Sequence, residues 1–491
     1  MRTALAVLIA AGLGCLAVTV VGSSAAPSVV HQAPARLGDL VTYDYDNARS
    51  GDDPVAGRIN GLGASPAWDD TLDGPVFAEP LIYDGLAYIA TENDTLYALS
   101  ARTGAVLWRL HVGTAVNLNI VHETPGIGGG CGDIDPLGIT GTPVIDPGMN
   151  EIYLAAEVEL PGHSTWMGVR HELIAVSLTS HRILWQRVID PPGGNNPNDF
   201  YISAEQQRSA LTLDDGNVYV AFGGLDGDCG QYHGFLVGVA DSGTGPLLAY
   251  RVPSAREAAI WETNGAVVGA HNRIYVATGN GASNTPADFD EGNAVIELTP
   301  SLRRIGVWAP SNWVQLNDND WDLGSAGPIQ VPGSDLLFIA GKPSNTGAFG
   351  YLLNEHHLTG IGSPAYSALV CSSGGVFGAD AVDVLGAGAT KRTIVYAPCG
   401  GGTAALEISV SPPSFDLLWQ SSANGPPIVA GGLVWALSWP GGGVYGMNAL
   451  SGATVVERTT ANLDHFATPG IGDSMLIVPT QAGAEAFRTI G

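Results

Sequence analysis

Eight times along the chain a short apolar strand pair is followed by a turn of small residues, and most of these units end in an isolated tryptophan or tyrosine. The clearest copy, 80–110, reads "PLIYDGLAYIATENDTLYALSARTGAVLWRL". It holds an apolar strand, an Asp84-Gly85 turn, a second strand ending at Ala90, a third over 95–99, a Thr103-Gly104 turn and an outer strand carrying Trp108. Strand-length runs joined by short loops with glycine at the turn are hairpin signals, so each unit predicts a four-stranded antiparallel meander. Repetition at about 40 to 60 residues predicts sheets arranged around an axis, an all-β propeller.

Later units begin near Thr142, Ser209, Gly265, Ser325, Gly375 and Pro427, and the last reads "TPGIGDSMLIVPTQAGAEAF" with no outer strand of its own. The stretch "ASPAWDD" with Trp68, ahead of the first full unit, looks like the missing strand. Pairing it with the last unit removes an exposed sheet edge. The expectation is therefore eight blades closed by an N-terminal outer strand, with seven as the fallback if "DAVDVLGAGATKR" is irregular. Trp108, Trp185, Tyr250, Trp308 and Trp419 are expected to lie between adjacent blades, each with its polar atom on a backbone partner.

Residues 1–26 read as a secretory signal: Arg2, an apolar run over 4–21, then Ser23-Ser24-Ala25-Ala26 as a cleavage region. A retained anchor and lipidation at Cys15 are the competing readings. Residues 27–60 are assigned to an extension and 61–491 to the propeller, with no stable membrane span after cleavage and an exported, secreted or cell-envelope location. A formal charge of −27 argues against nucleic acid and against anionic membrane surfaces. Cys131, Cys229, Cys371 and Cys399 remain after cleavage, an even number that favours two disulfides in an exported chain. Of three pairings, Cys371 with Cys399 and Cys131 with Cys229 is preferred, because the first pair lies within one unit.

Units such as "YALSARTGAVLWRL" resemble the quinoprotein repeat, named for pyrroloquinoline quinone (PQQ) and shared by PQQ-dependent alcohol dehydrogenases and non-enzymatic outer-membrane assembly propellers. A sharper likeness to the dehydrogenases runs over 261–358. "IYVATGNGAS" is similar to their metal-binding turn and places Asn280 as a calcium ligand. "NDNDWDLG" resembles the segment carrying the base, which implies Asp322 in that role with Asp320 beside it. "AGKPSNTGAFGYLL" is similar to the segment that contacts the quinone and places Lys342 there. The residue types suit the chemistry: a carboxylate takes a hydroxyl proton, a hard cation prefers oxygen ligands, and an ammonium stabilises charge developing on a quinone.

The chain departs from those enzymes in three places. It has no adjacent cysteine pair; Trp166 stands where a ligand glutamate is expected, with Glu157 and Glu159 only loosely placed; and Trp261 lies a few residues before the expected tryptophan position. No Cys-x-x-Cys-His occurs for haem attachment. Each candidate also has a plain alternative: Asn280 as a turn residue, Asp320 and Asp322 as a solvated acidic loop, Lys342 as a surface lysine.

In a propeller the loops entering the inner strands gather at one mouth of the channel. Here they carry His122, Asp133, Arg208, Trp261, Glu262, Asp320, Asp322 and His465, so this rim is the expected binding site for a small molecule or a protein. Two functions stand at this point. The first is a binding or assembly scaffold without complete quinone chemistry. The second is a dehydrogenase of alcohols or sugars using PQQ and calcium, with Asp322 and Asp320 at the catalytic position, Asn280 at the metal, and Lys342, Trp261, Glu262 and Arg208 around the cofactor.

Overall fold

The computed structural model describes residues 38–491 except 194, 197 and 198. The signal-like stretch, Cys15 and the start of the extension lie outside the described residues. Eight sheets follow one another around a central channel. The first comprises Leu81–Tyr83, Leu86–Thr91, Thr95–Ser100 and Val106–His111, paired antiparallel in chain order. Blades two to seven span 144–188, 212–251, 267–309, 329–371, 381–420 and 428–458. The eighth joins Gly470–Gly472, Met475–Thr480 and Gly483–Ile490 to Trp68–Thr71, whose register sets Trp68 opposite Ala486. The ring is closed by the N-terminal strand as expected, and "DAVDVL" is a regular inner strand.

Local chemistry explains the blade. Asp84 and Gly85 both have positive φ (52° and 81°), the requirement of a tight two-residue hairpin turn. The first three strands of blade one are almost wholly buried, whereas its outer strand Val106–His111 alternates toward solvent. Inner strands therefore pack against neighbouring blades on both faces, and only the outer edge needs polar residues.

The outer tryptophans join one blade to the next by a repeated contact. The Nε1 of Trp68 donates to Ala101 O at 2.8 Å, Trp185 to Asp241 O at 3.1 Å, and Trp419 to Ala449 O at 3.1 Å. Each ring lies over the turn glycine that follows its acceptor. A Cβ on Gly104, Gly243 or Gly452 would come within 2.8 Å of the Trp68, Trp185 or Trp419 ring. Trp108 instead stacks on His181 of blade two at 4.8 Å, Trp308 donates to Gly362 O at 2.8 Å, and the Tyr250 hydroxyl donates to Glu291.

The segment read as an extension does more than precede the ring. Residues 40–51 run through the channel and meet every blade. Leu40 exchanges hydrogen bonds with Ile82, and Ile145 N donates to Val41 O at 2.8 Å. Asn47 Nδ2 donates to Leu213 O at 2.8 Å, and Asn47 O accepts from Val268 N at 2.7 Å. Ala48, Ser50 and Gly51 carbonyls accept from Gln330, Val382 and Val429, and the Tyr45 hydroxyl donates to Ile471 O. Asp52–Asp53 then pairs parallel with Ile428–Ala430. This plug satisfies inner-strand groups that would otherwise face an open channel. Arg49 is its centre: fully buried, it donates to Thr42 Oγ1, Tyr43 O, Leu211 O and Thr212 Oγ1.

Both expected disulfides are present, Cys131–Cys229 and Cys371–Cys399. Among the described residues no helix is long and apolar enough to cross a membrane.

Candidate functional site at the channel mouth

In a four-stranded meander the second-to-third links and the blade-to-blade links leave at the same end. That geometry brings residues from three successive blades and the loops entering them to one cavity of about 170 Å³, lined by Arg208, Trp261, Asn280, Asp320, Asp322 and Lys342 among others. Six of the seven residues assigned from the sequence to catalytic, metal or cofactor positions therefore meet in one place. Glu262 does not line the cavity. It is fully buried behind Trp261, its Oε1 accepting from Ala277 N at 3.2 Å, and burial pushes its carboxyl up to about 8.

Lys342 organises the charged wall. Its Nζ lies 2.9 Å from Asp322 Oδ2 and 2.6 Å from Asp320 Oδ1, and 5.6 Å from the centre of the Trp261 ring. Asp322 also accepts the Asn280 backbone N–H at 2.6 Å, and its own carbonyl takes the Lys342 N–H at 2.8 Å. Asn280 Nδ2 donates to Asp320 Oδ1 at 2.9 Å, while Asn280 Oδ1 accepts from Asn293 Nδ2 at 3.1 Å. Burial raises the pKa of Asp322, and Lys342 opposes that shift. For Lys342 burial acts downward, but the two carboxylates outweigh it and the net shift is upward.

On the other side Arg208 lies over both Trp261 (5.7 Å) and Phe466 (5.4 Å) and reaches toward Asp133 at 3.6 Å. Burial lowers its pKa, with nearby carboxylates opposing. His465 faces the same Asp133 at 3.3 Å, and burial together with Arg208 holds its imidazole down at about 4. A small hollow lined by Tyr43, Arg208, His465 and Phe466 connects this layer to the plug, which thus floors the mouth. His122 is turned away to the Cys131 carbonyl, 2.8 Å from its Nε2.

Sequence reasoning missed Asp226, Asp228 and Tyr232, which complete the wall facing Lys342. The Tyr232 hydroxyl donates to Asp228, and burial followed by that carboxylate pushes the phenol well up. The signal was present in "LDGDCG": an Asp-Gly-Asp turn held beside Cys229, whose partner Cys131 belongs to another rim loop.

The donor set does not fit a calcium-held quinone. Trp166, at the expected glutamate position, packs edge-on against Tyr201 at 5.1 Å. Glu157 is buried and lies 3.5 Å from His171 Nε2, and neither it nor Glu159 lines the cavity. The carboxylates nearest Asn280 are already bridged by the Lys342 ammonium. A cation there would meet one amide oxygen already in use and a competing positive charge.

Residues 58–223 match the family model described as outer membrane protein assembly factor BamB. An outer membrane protein assembly factor BamB of Yersinia pestis is 26% identical over 171 residues, covering 30% of this chain and 42% of that protein. The chain thus matches less than half the length of that relative. By shape, the quinohemoprotein alcohol dehydrogenase of Comamonas testosteroni superposes with a TM-score of 0.62 at 16% identity, over 92% of this chain and 81% of that one. A europium-containing methanol dehydrogenase gives 0.62 at 12% identity, over 91% and 90%. Identities this low establish shape and leave chemistry to the residues. The chain is an eight-bladed propeller, sequence-related over residues 58–223 to the PQQ-like repeats of the assembly factor and similar in fold to quinoprotein dehydrogenases.

Proposed function

We propose that this protein is an exported binding or assembly scaffold whose channel mouth holds a small molecule or a protein segment without quinone–calcium redox chemistry. The observation that carries this is the position of Lys342: its ammonium bridges Asp320 and Asp322, so the two acids serve an ion pair rather than a metal. Arg208, Trp261 and Lys342 leave a binding surface with a flat aromatic face and two cations. Two disulfides suit an oxidising compartment such as the cell envelope. The placement of Asp322, Lys342 and Trp261 in one cavity favours the second reading, an alcohol or sugar dehydrogenase using PQQ and calcium.

The two readings separate in one experiment. Purified protein is incubated with PQQ and Ca²⁺, and melting temperature and dye reduction by a panel of alcohols and sugars are followed. A scaffold shows neither a calcium-dependent shift nor reduction. A shift that needs both components, with turnover lost in Asp322→Ala, overturns the scaffold reading.

A further inference from the structure

The first-to-second and third-to-fourth links leave each blade at the end opposite the mouth. There His271 sits between Val267–Gly269 and Arg273–Ala277 of blade four, and Glu355 and His356 follow Ala348–Asn354 of blade five. We propose that His271, Glu355 and His356 form a binding site for a divalent transition metal ion of the zinc type, bridging blades four and five.

One donor atom from each of the three residues lies within 4.8 Å of the others, and among the described residues they form the one such cluster. The two imidazole rings are 5.6 Å apart and inclined at 42°, so both can turn toward a common point. Glu355 is the independent indication. It is 2% exposed, its Oε1 has no donor in hydrogen-bonding geometry, and its polar side-chain neighbours are the Tyr275 hydroxyl, 3.5 Å from Oε2, and the Gln330 side chain. A buried carboxylate oxygen left unpaired is costly, and a cation between it and two exposed imidazoles would remove the cost.

The surroundings support a ligand set. His271 and Asn272 hold left-handed backbone (φ 60° and 56°), which fixes the hairpin tip that presents the ring. His356 N donates to Asn354 Oδ1 at 2.9 Å, anchoring the short turn that carries it. Asp335 Oδ2 lies 3.5 Å from His356 Nε2, placed to orient that ring as outer carboxylates orient metal-bound histidines. The cation lining the hollow, Arg273, lies 3.7 Å from Glu297 and is offset by it. Two nitrogens and one carboxylate oxygen suit Zn²⁺ or its neighbours rather than Ca²⁺ or Mg²⁺, and leave one position for water.

The test uses chelator-treated full-length protein titrated with Zn²⁺ by calorimetry and with Co²⁺ by visible absorption. One equivalent should bind, Co²⁺ should give a tetrahedral ligand-field band, and Zn²⁺ should raise the melting temperature. His271→Ala and His356→Ala should each lose that binding while keeping the metal-free melting temperature, since both side chains are exposed. Asp335→Asn should weaken binding about tenfold. Absence of stoichiometric binding at micromolar Zn²⁺, or binding unchanged in His271→Ala/His356→Ala, overturns the proposal. Calcium binding at this site in preference to Zn²⁺ would also overturn it.

Discussion

Lys342→Met removes the ammonium from the mouth while keeping an apolar stem against Trp261. Its main partner, the Asp322 side chain, is 8% exposed, and Lys342 itself is 17% exposed. Stripping one member from a buried pair costs roughly 3–5 kcal/mol. The Asp320 side chain is 63% exposed, so solvent screens that contact and it adds little. Asp322 keeps the Asn280 N–H, which places the expected loss near the lower end, about 3 kcal/mol. With unfolding entropy of roughly 2 cal/mol/K per residue over about 450 residues, that corresponds to a fall in melting temperature of about 3 °C.

The sign of the pH dependence adds a second constraint. Lys342 has a raised native pKa, so its stabilisation is complete below the unfolded lysine value and is lost only as pH climbs through the native one. Asp322 is raised by burial, so its penalty is absent below the unfolded carboxyl value and grows as pH rises toward the native one. Removing Lys342 raises Asp322 further. The gap between variant and wild type should therefore be largest at pH 8 and shrink toward pH 5, as Asp322 takes a proton. Adding Asp322→Asn to Lys342→Met should recover part of the loss. Calorimetric scans across that range are the assay. A variant within 0.5 °C of wild type (about 0.5 kcal/mol on the same scale), with a gap flat in pH, would show that the pair does not form.

Arg49→Met should lower stability by about 3–5 kcal/mol, because it removes five donated hydrogen bonds and the buried cation beside Asp44; denaturant unfolding reads it directly. Trp68→Ala should cost about 3–5 kcal/mol and speed proteolysis near both termini, since the ring seats on Gly104 and its indole bonds Ala101 across the closure. A Trp68→Ala protein as stable as wild type would mean that the ring is held by the plug alone.

The blades were legible because each one writes its geometry in side chains: a turn glycine, an apolar strand pair and a terminal tryptophan. The contact that joins blades uses the same letters, since the glycine that makes the turn also leaves room for the preceding blade's indole. Trp68 could thus be assigned to a sheet whose other strands lie at the opposite end of the chain. The plug was not legible for the complementary reason. Its bonds to the inner strands are mostly backbone groups of residues 40–51, and a backbone carbonyl has no identity in a sequence.

The candidate site divides along the same line. Asn280, Asp322 and Lys342 were visible as types in a spaced order, and the fold brings them within hydrogen-bond distance. What the order could not reveal was the partner each would choose. Asp322 and Lys342 satisfy one another, and Asn280 spends its amide on Asp320 and Asn293, so the same residue types yield a closed network. Asp226 and Asp228 were passed over although they sit beside Cys229 in a hairpin link of blade three that reaches the mouth. Chemistry at the mouth is therefore decided by pairing, and the Lys342→Met series measures that pairing directly.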